Sequence, residues 1–152
     1  MEHHVSAIRC WRNIVLESDR MLQILIDLDE FAKKYTFVPT KCKIFEAFRT
    51  LRPCEVKVVM VAQSPYPGQC PSTGSPYACG IAFMPGPECV TTPVTLKNVV
   101  SEVCRDLSKT VTRSPKQMLS DWIRQGVLLL NSSLTAKVVP NILRTTLSCG
   151  KR

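Results

Sequence analysis

The stretch from Val56 to Phe83, V-K-V-V-M-V-A-Q-S-P-Y-P-G-Q-C-P-S-T-G-S-P-Y-A-C-G-I-A-F, constrains the fold more than any other. Val56, Val58, Val59, Met60, Val61 and Ala62 form a nearly continuous apolar run. It is too short for a typical helix and predicts a strand covered on both faces in a parallel sheet. Gln63-Ser64-Pro65-Tyr66-Pro67-Gly68 stops it abruptly. In open α/β sheets ligands bind beyond the carboxyl ends of the strands, so polar and aromatic residues placed there are candidates for chemistry.

The flanking segments supply the rest of an α/β unit. From Ser18 to Tyr35, apolar Met21, Leu22, Leu25, Leu28, Phe31, Ala32 and Tyr35 recur at helical spacing, predicting an amphipathic helix with a core-facing stripe. Pro39-Thr40 marks a boundary, and a short helix with Ile44, Phe45 and Phe48 on one face follows before Pro53 breaks the chain. A stiff loop with Pro85, Pro87 and Pro93 leads to a helix with the stripe Leu96, Val99, Val100, Val103, Cys104 and Leu107. Ser114-Pro115 with Gln117 is a helix start with a capping-box pattern, Met118, Leu119, Trp122 and Ile123 are its buried face, and Gly126 is its stop. Val127 to Leu130 make a second strand ending in Asn131, so strand, helix, helix, strand forms a crossover in a parallel sheet. Trp11 and Trp122 are core residues on this reading.

The 152 residues suit one domain, expected over residues 1–138, with 139–152 as a basic tail. Nothing approaches the apolar length of a membrane span, and the first residues lack the pattern of a secretory signal, which predicts a chain of the nucleus or cytoplasm that is not secreted. Eight cysteines without a C-x-x-C pair, and histidines only at His3 and His4, lack the spacing of a zinc or iron–sulfur site. The cysteines are expected to be mostly small buried hydrophobes, and no metal site is expected. A net charge of +8 favours polyanionic partners, nucleic acid first among them, and serves solubility equally well.

Four stretches, in order, carry a resemblance: A-Q-S-P-Y-P (Ala62 to Pro67), A-C-G-I-A-F (Ala78 to Phe83), P-V-T-L (Pro93 to Leu96) and G-V-L-L-L-N (Gly126 to Asn131). They resemble the G-Q-D-P-Y-H, A-H-G-L-x-F, P-P-S-L and G-V-L-L-L-N motifs of the family 1 uracil-DNA glycosylases, and Ile44 to Phe48 resembles that family's I-F-x-A-F. The likeness runs from about Trp11 to Lys137. It implies a three-layer α/β/α fold with a short parallel central sheet, and hydrolysis of the bond joining uracil to deoxyribose in DNA during base-excision repair, without metal or cofactor. The target nucleotide has to leave the base stack to reach such a pocket.

Carried over by motif, Gln63 lies beside the base and the catalytic turn, and Tyr66 excludes the methyl of thymine. Phe83 stacks on the extruded ring, Asn131 reads its polar edge, and Thr95 contacts a DNA phosphate. An aromatic face, an amide with both donor and acceptor, and a bulky phenol suit those roles physically. The resemblance implies a monomer acting on uracil-containing DNA, single- or double-stranded, with a replication or repair protein as a further partner.

The chain also departs from the pattern. Ser64 stands where the family has the aspartate that positions the attacking water, and a neutral hydroxyl supplies neither its charge nor its basicity, a loss of about 10²- to 10⁴-fold for general-base work. Pro67 and Cys79 replace histidines, Ala62 replaces a glycine, and the loop between Tyr66 and Phe83 is about six residues longer than the pattern. Nothing after Lys137 resembles the family's later strands or its H-P-S-P loop, which implies a domain incomplete on its C-terminal side and an unpaired apolar strand edge. Two alternatives therefore stand beside a slow glycosylase: a non-catalytic DNA- or uracil-binding or scaffold protein, and a non-functional truncated product.

Overall fold

The computed structural model describes residues 10, 11, 14 and 19–138. The expected tail at 139–152, with His3 and His4, lies outside them. Helix α1 (Asp19–Lys34) leads into strand β1 (Phe37–Val38), a 3-10 turn (Lys41–Lys43), the short helix α2 (Ala47–Thr50) and a second 3-10 turn (Pro53–Glu55). Strand β2 (Val58–Ala62), helices α3 (Val94–Asp106) and α4 (Pro115–Arg124), and strands β3 (Val127–Asn131) and β4 (Ala136–Lys137) complete the order.

Strands β2 and β3 pair in parallel, Val58 with Val127 through Ala62 with Asn131, as the strand–helix–helix–strand order predicts. Because side chains alternate along a strand, β3 serves two layers. Leu129 joins Leu96, Val100 and Leu119 from α3 and α4 in the main core, whereas Leu128 packs with Ala47 and Leu51 beneath α2. The result is an α/β domain with helices on both faces of a small parallel sheet.

The expectation of a β2 strand buried on both faces fails. Met60 and Ala62 pack against the main core, but Val58, Val59 and Val61 remain 54%, 51% and 61% exposed. Register accounts for this: Val59 and Val61 share a face with Leu128 and Leu130, yet α2 covers only the β3 half of that face. With β3 on one side and no described strand on the other, β2 is an apolar edge strand, a template for further pairing.

Helix α1 forms as its periodicity predicts. Phe31 packs on Tyr35 and Phe37 with ring centroids 4.9 and 5.8 Å apart, while Ile24 and Ile26 are about half exposed. The side chains of Met21, Leu22 and Leu25 lie outside those described. This helix rests on an antiparallel ribbon, β1 with β4, that the sequence reading missed; Val138 N donates to Thr36 O at 2.9 Å, and the Lys137 ammonium sits 3.9 Å over the Tyr35 ring. Two residues per strand carry too little periodicity to announce themselves.

The start of α4 matches its sequence signature. Gln117 N donates to Ser114 Oγ at 3.3 Å, and Ser114 N donates back to Gln117 Oε1 at 3.1 Å. Removing the hydroxyl in Ser114→Ala is expected to lower stability by about 1 kcal/mol, read as a shift of the urea midpoint without a change in slope. Trp11 and Trp122 sit against the core as expected; Trp11 Nε1 donates to Leu51 O at 2.7 Å. Cysteines 70, 79, 89 and 104 are buried, while Cys10, Cys42 and Cys54 are exposed. Among the described residues no helix is long and apolar enough to cross a membrane.

Candidate functional site

Parallel pairing brings the two motif-bearing strand ends side by side, since Ala62 and Asn131 are register partners. The turn after β2 is then stapled to the residues after β3. Ser132 N donates to Ala62 O at 2.8 Å, Ser133 N to Gln63 O at 3.0 Å, and Ser132 Oγ to the same carbonyl at 2.7 Å. Sequence reasoning missed Ser132 and Ser133; an N-S-S run closing a strand is a weak signal until the register places it opposite Gln63.

The A-C-G-I-A-F segment forms the facing wall. Ala82 N donates to Leu129 O at 3.2 Å, which hangs the segment on β3. Gly80 has φ +90°, and a Cβ there would lie 1.9 Å from Lys43 O, so only glycine lets the wall pass this close to the turn before α2. Phe83 itself takes φ +61°, a costly backbone state for an aromatic residue that persists only where surrounding bonds enforce it.

Of the expected site residues, Ser64, Tyr66, Phe83 and Asn131 line one small void, closed by Pro65, Ala78, Gly80 and Ile81. Gln63 is exposed and contributes its backbone rather than its side chain. The void is only about 10 Å³, room for about one water. A base enters only if the walls part. No charged side chain lines it. Asn131 is 7% exposed, and its Oδ1 is buried without a hydrogen-bond partner, an acceptor that costs about 1–3 kcal/mol until a donor meets it.

Tyr66 is held from behind. Its hydroxyl lies 2.7 Å from Thr95 Oγ1 on the first turn of α3, and burial raises its pKa against the opposing pull of that hydrogen bond, so the phenol is neutral at pH 7. Tyr77 packs on it edge-to-face at 6.3 Å and hydrogen-bonds to Thr91. The long loop thus folds back to brace Tyr66, a role invisible in the motif pattern. Among the described residues no group of three or more His, Cys, Asp or Glu could hold a metal ion.

No protein-family profile matches the chain. Curated relatives do. It is 35% identical over 132 residues to a uracil-DNA glycosylase of Fusobacterium nucleatum subsp. nucleatum, covering 84% of this chain and 54% of that protein. With that of Streptococcus mutans it is 31% identical over 138 residues, covering 89% and 56%. The crystal structure of mimivirus uracil-DNA glycosylase superposes with a TM-score of 0.70 at 28% identity, covering 87% of this chain and 48% of that one. The chain belongs to the family 1 uracil-DNA glycosylases. It spans about half the length of the curated relatives it matches. The void bounded by Tyr66, Phe83 and Asn131 is accordingly the place where the family's motifs converge in this chain.

Proposed function

We propose that this chain is a uracil-recognising DNA-binding domain of base-excision repair, in which hydrolysis of the glycosidic bond is slowed by Ser64. One observation carries the reading: Asn131, whose Oδ1 is buried without a hydrogen-bond partner, lines a void together with Phe83 and Tyr66. A pyrimidine with an N–H between two carbonyls supplies the donor that Oδ1 lacks and accepts from the same amide's NH₂. Phe83 offers a stacking face, and neutral Tyr66, braced by Thr95 and Tyr77, excludes a 5-methyl group by shape. The net charge of +8 favours a phosphate backbone as the carrier of that base. Thr95 can accept from the Tyr66 hydroxyl and still donate its own proton to a phosphate. The exposed Val58, Val59 and Val61 favour a second reading, a scaffold that docks on a repair protein, and the same experiment separates the two.

Fluorescence anisotropy with single-stranded oligonucleotides carrying one deoxyuridine or one thymidine tests the proposal. The uracil strand is expected to bind more tightly, and Asn131→Ala to remove roughly tenfold of that preference, the worth of one buried hydrogen bond. Equal affinity of the wild-type chain for the two strands would overturn base reading and leave the scaffold.

A further inference from the structure

In the proposed function Tyr66 is the bulk set against a 5-methyl group, and its phenol is held at both ends. The residue follows buried Pro65 in the turn that Ser132 and Ser133 fasten, and its hydroxyl lies 2.7 Å from Thr95 Oγ1. Such tethers leave one freedom, rotation of the ring about the axis from Cβ to the hydroxyl, a torsion with broad, roughly two-fold wells. That rotation decides whether the ring turns its wide edge or its thin face toward a base in the void lined by Tyr66, Phe83 and Asn131. Uracil and thymine present the same polar edge and differ by the methyl group, so their separation depends on the plane of this ring.

Tyr77 is placed to set that plane. Its ring meets Tyr66 edge-to-face, with centroids 6.3 Å apart and planes at 68°, an arrangement that aromatic quadrupoles favour. Among the described residues Tyr66 has no other aromatic partner. Tyr77 is itself fixed on several sides: its N donates to Gly68 O at 3.1 Å, its O accepts from Gly86 N at 2.8 Å, and backbone bridges flank it at Gln69–Pro76 and Ala78–Pro85. Its hydroxyl bonds to Thr91 Oγ1. Thr91 and Thr95 stand four residues apart at the start of α3, so one segment carries the partners of both phenols. Tyr77 does not line the void, so it reaches a bound base only through Tyr66.

We infer that Tyr77 is a specificity-determining positioning residue, which holds the Tyr66 ring in the plane that rejects a 5-methyl pyrimidine. The role stands on the reading proposed above, in which Tyr66 is the wall against that methyl. Thr95 limits where the phenol ends, and Tyr77, tied to Thr91, limits how the ring is turned. Without Tyr77 the Tyr66 ring rotates on its tethers and gives a methyl group the space that it had filled. Tyr77 therefore acts against the wrong base rather than for the right one. Because the backbone bonds at Tyr77 use only its N and O, a change of side chain leaves the path of the loop intact.

Fluorescence anisotropy with single-stranded oligonucleotides carrying one deoxyuridine, one thymidine or one 5-bromodeoxyuridine tests this, bromine being close to methyl in size. One methyl group in a fitted pocket is worth about 10- to 200-fold, which bounds the preference of the unsubstituted chain. Tyr77→Ala is expected to cut the uracil-over-thymine ratio by about tenfold, through tighter binding of the thymidine and 5-bromo strands. Tyr77→Leu, which keeps apolar bulk but no ring, should do the same and serves if alanine weakens the fold. Tyr77→Phe keeps the edge-to-face pair and should retain most of the ratio. In Tyr66→Ala the ratio should already be lost, and adding Tyr77→Ala should change nothing further. An unchanged ratio in Tyr77→Ala and Tyr77→Leu, or equal weakening of every strand, overturns the role of Tyr77 and leaves uracil reading in place. Equal affinity of the unsubstituted chain for every strand overturns both.

Discussion

Ser64→Asp is expected to raise uracil release from single-stranded DNA by about 10²- to 10⁴-fold over the unsubstituted chain, the usual worth of a positioned general base. Ser64 is exposed, lines the void beside Asn131, and is followed by buried Pro65, so a carboxylate at 64 faces a held sugar without disturbing the core. The serine hydroxyl remains neutral at pH 7 and can neither take a proton from water nor offset positive charge on the deoxyribose. Ser64→Asn tests the cause, because it adds the same bulk without charge or basicity and should leave the rate where it began. The variant should still fall short of a glycosylase whose pocket carries a cation. No cation lines the void to receive the departing uracil anion, and a missing electrostatic stabiliser of that kind costs about 2.7–4 kcal/mol. Abasic-site formation followed by alkaline cleavage measures all three proteins. If the aspartate and asparagine variants are equally inert, the void does not engage uracil productively, and the proposed function fails with it.

Gly80→Ala should be the most destabilising small substitution in the site, costing about 3–5 kcal/mol when backbone strain and overpacking are added. Its Cβ would lie 1.9 Å from Lys43 O and 2.8 Å from Glu46 Cβ, and Gly80 already has φ +90°. Backbone oxygen cannot yield as a flexible side chain does, so either the A-C-G-I-A-F wall or the turn before α2 has to move. Movement of the wall also displaces Phe83. Gly74→Ala is the control: φ is +69° there, but nothing lies within 4 Å of the added carbon, so only the strain of about 1–2 kcal/mol remains. Urea denaturation of the pair separates clash from strain, and equal midpoints would show that the close approach at Gly80 is not enforced.

Both predictions rest on residues that the sequence marks with unequal clarity. Tyr66 and Asn131 were legible because motif order placed them at or just after strand ends that the parallel register brings side by side, and Phe83 because its motif is distinctive; the Ala82–Leu129 bond hangs that segment beside them. The cap of α4 was legible because Ser114 and Gln117 lie within one turn of each other. Gln63 and Thr95 were legible as positions but not as contacts: Gln63 is held through its carbonyl, and Thr95 turns its hydroxyl to Tyr66. Ser132 and Ser133 carried only a weak signal and Tyr77 none, since their partners are distant in the chain or lie in the loop that exceeds the family pattern.

Local rules thus determined the elements that depend on near neighbours: the apolar run of β2, the stripes of α3 and α4, the stop at Gly126 and the substitution of Ser64 for an acid. Only the tertiary structure decided which of those apolar faces would be covered. Periodicity reports that a surface is apolar, whereas burial requires another element to lie against it; β3 has helices on both sides, and β2, equally apolar, keeps Val59 and Val61 in the open because α2 reaches only its neighbour. The meeting of Tyr66 with Thr95 and of Tyr77 with Thr91 likewise joins residues far apart in the chain, a matter of chain geometry that no local pattern encodes.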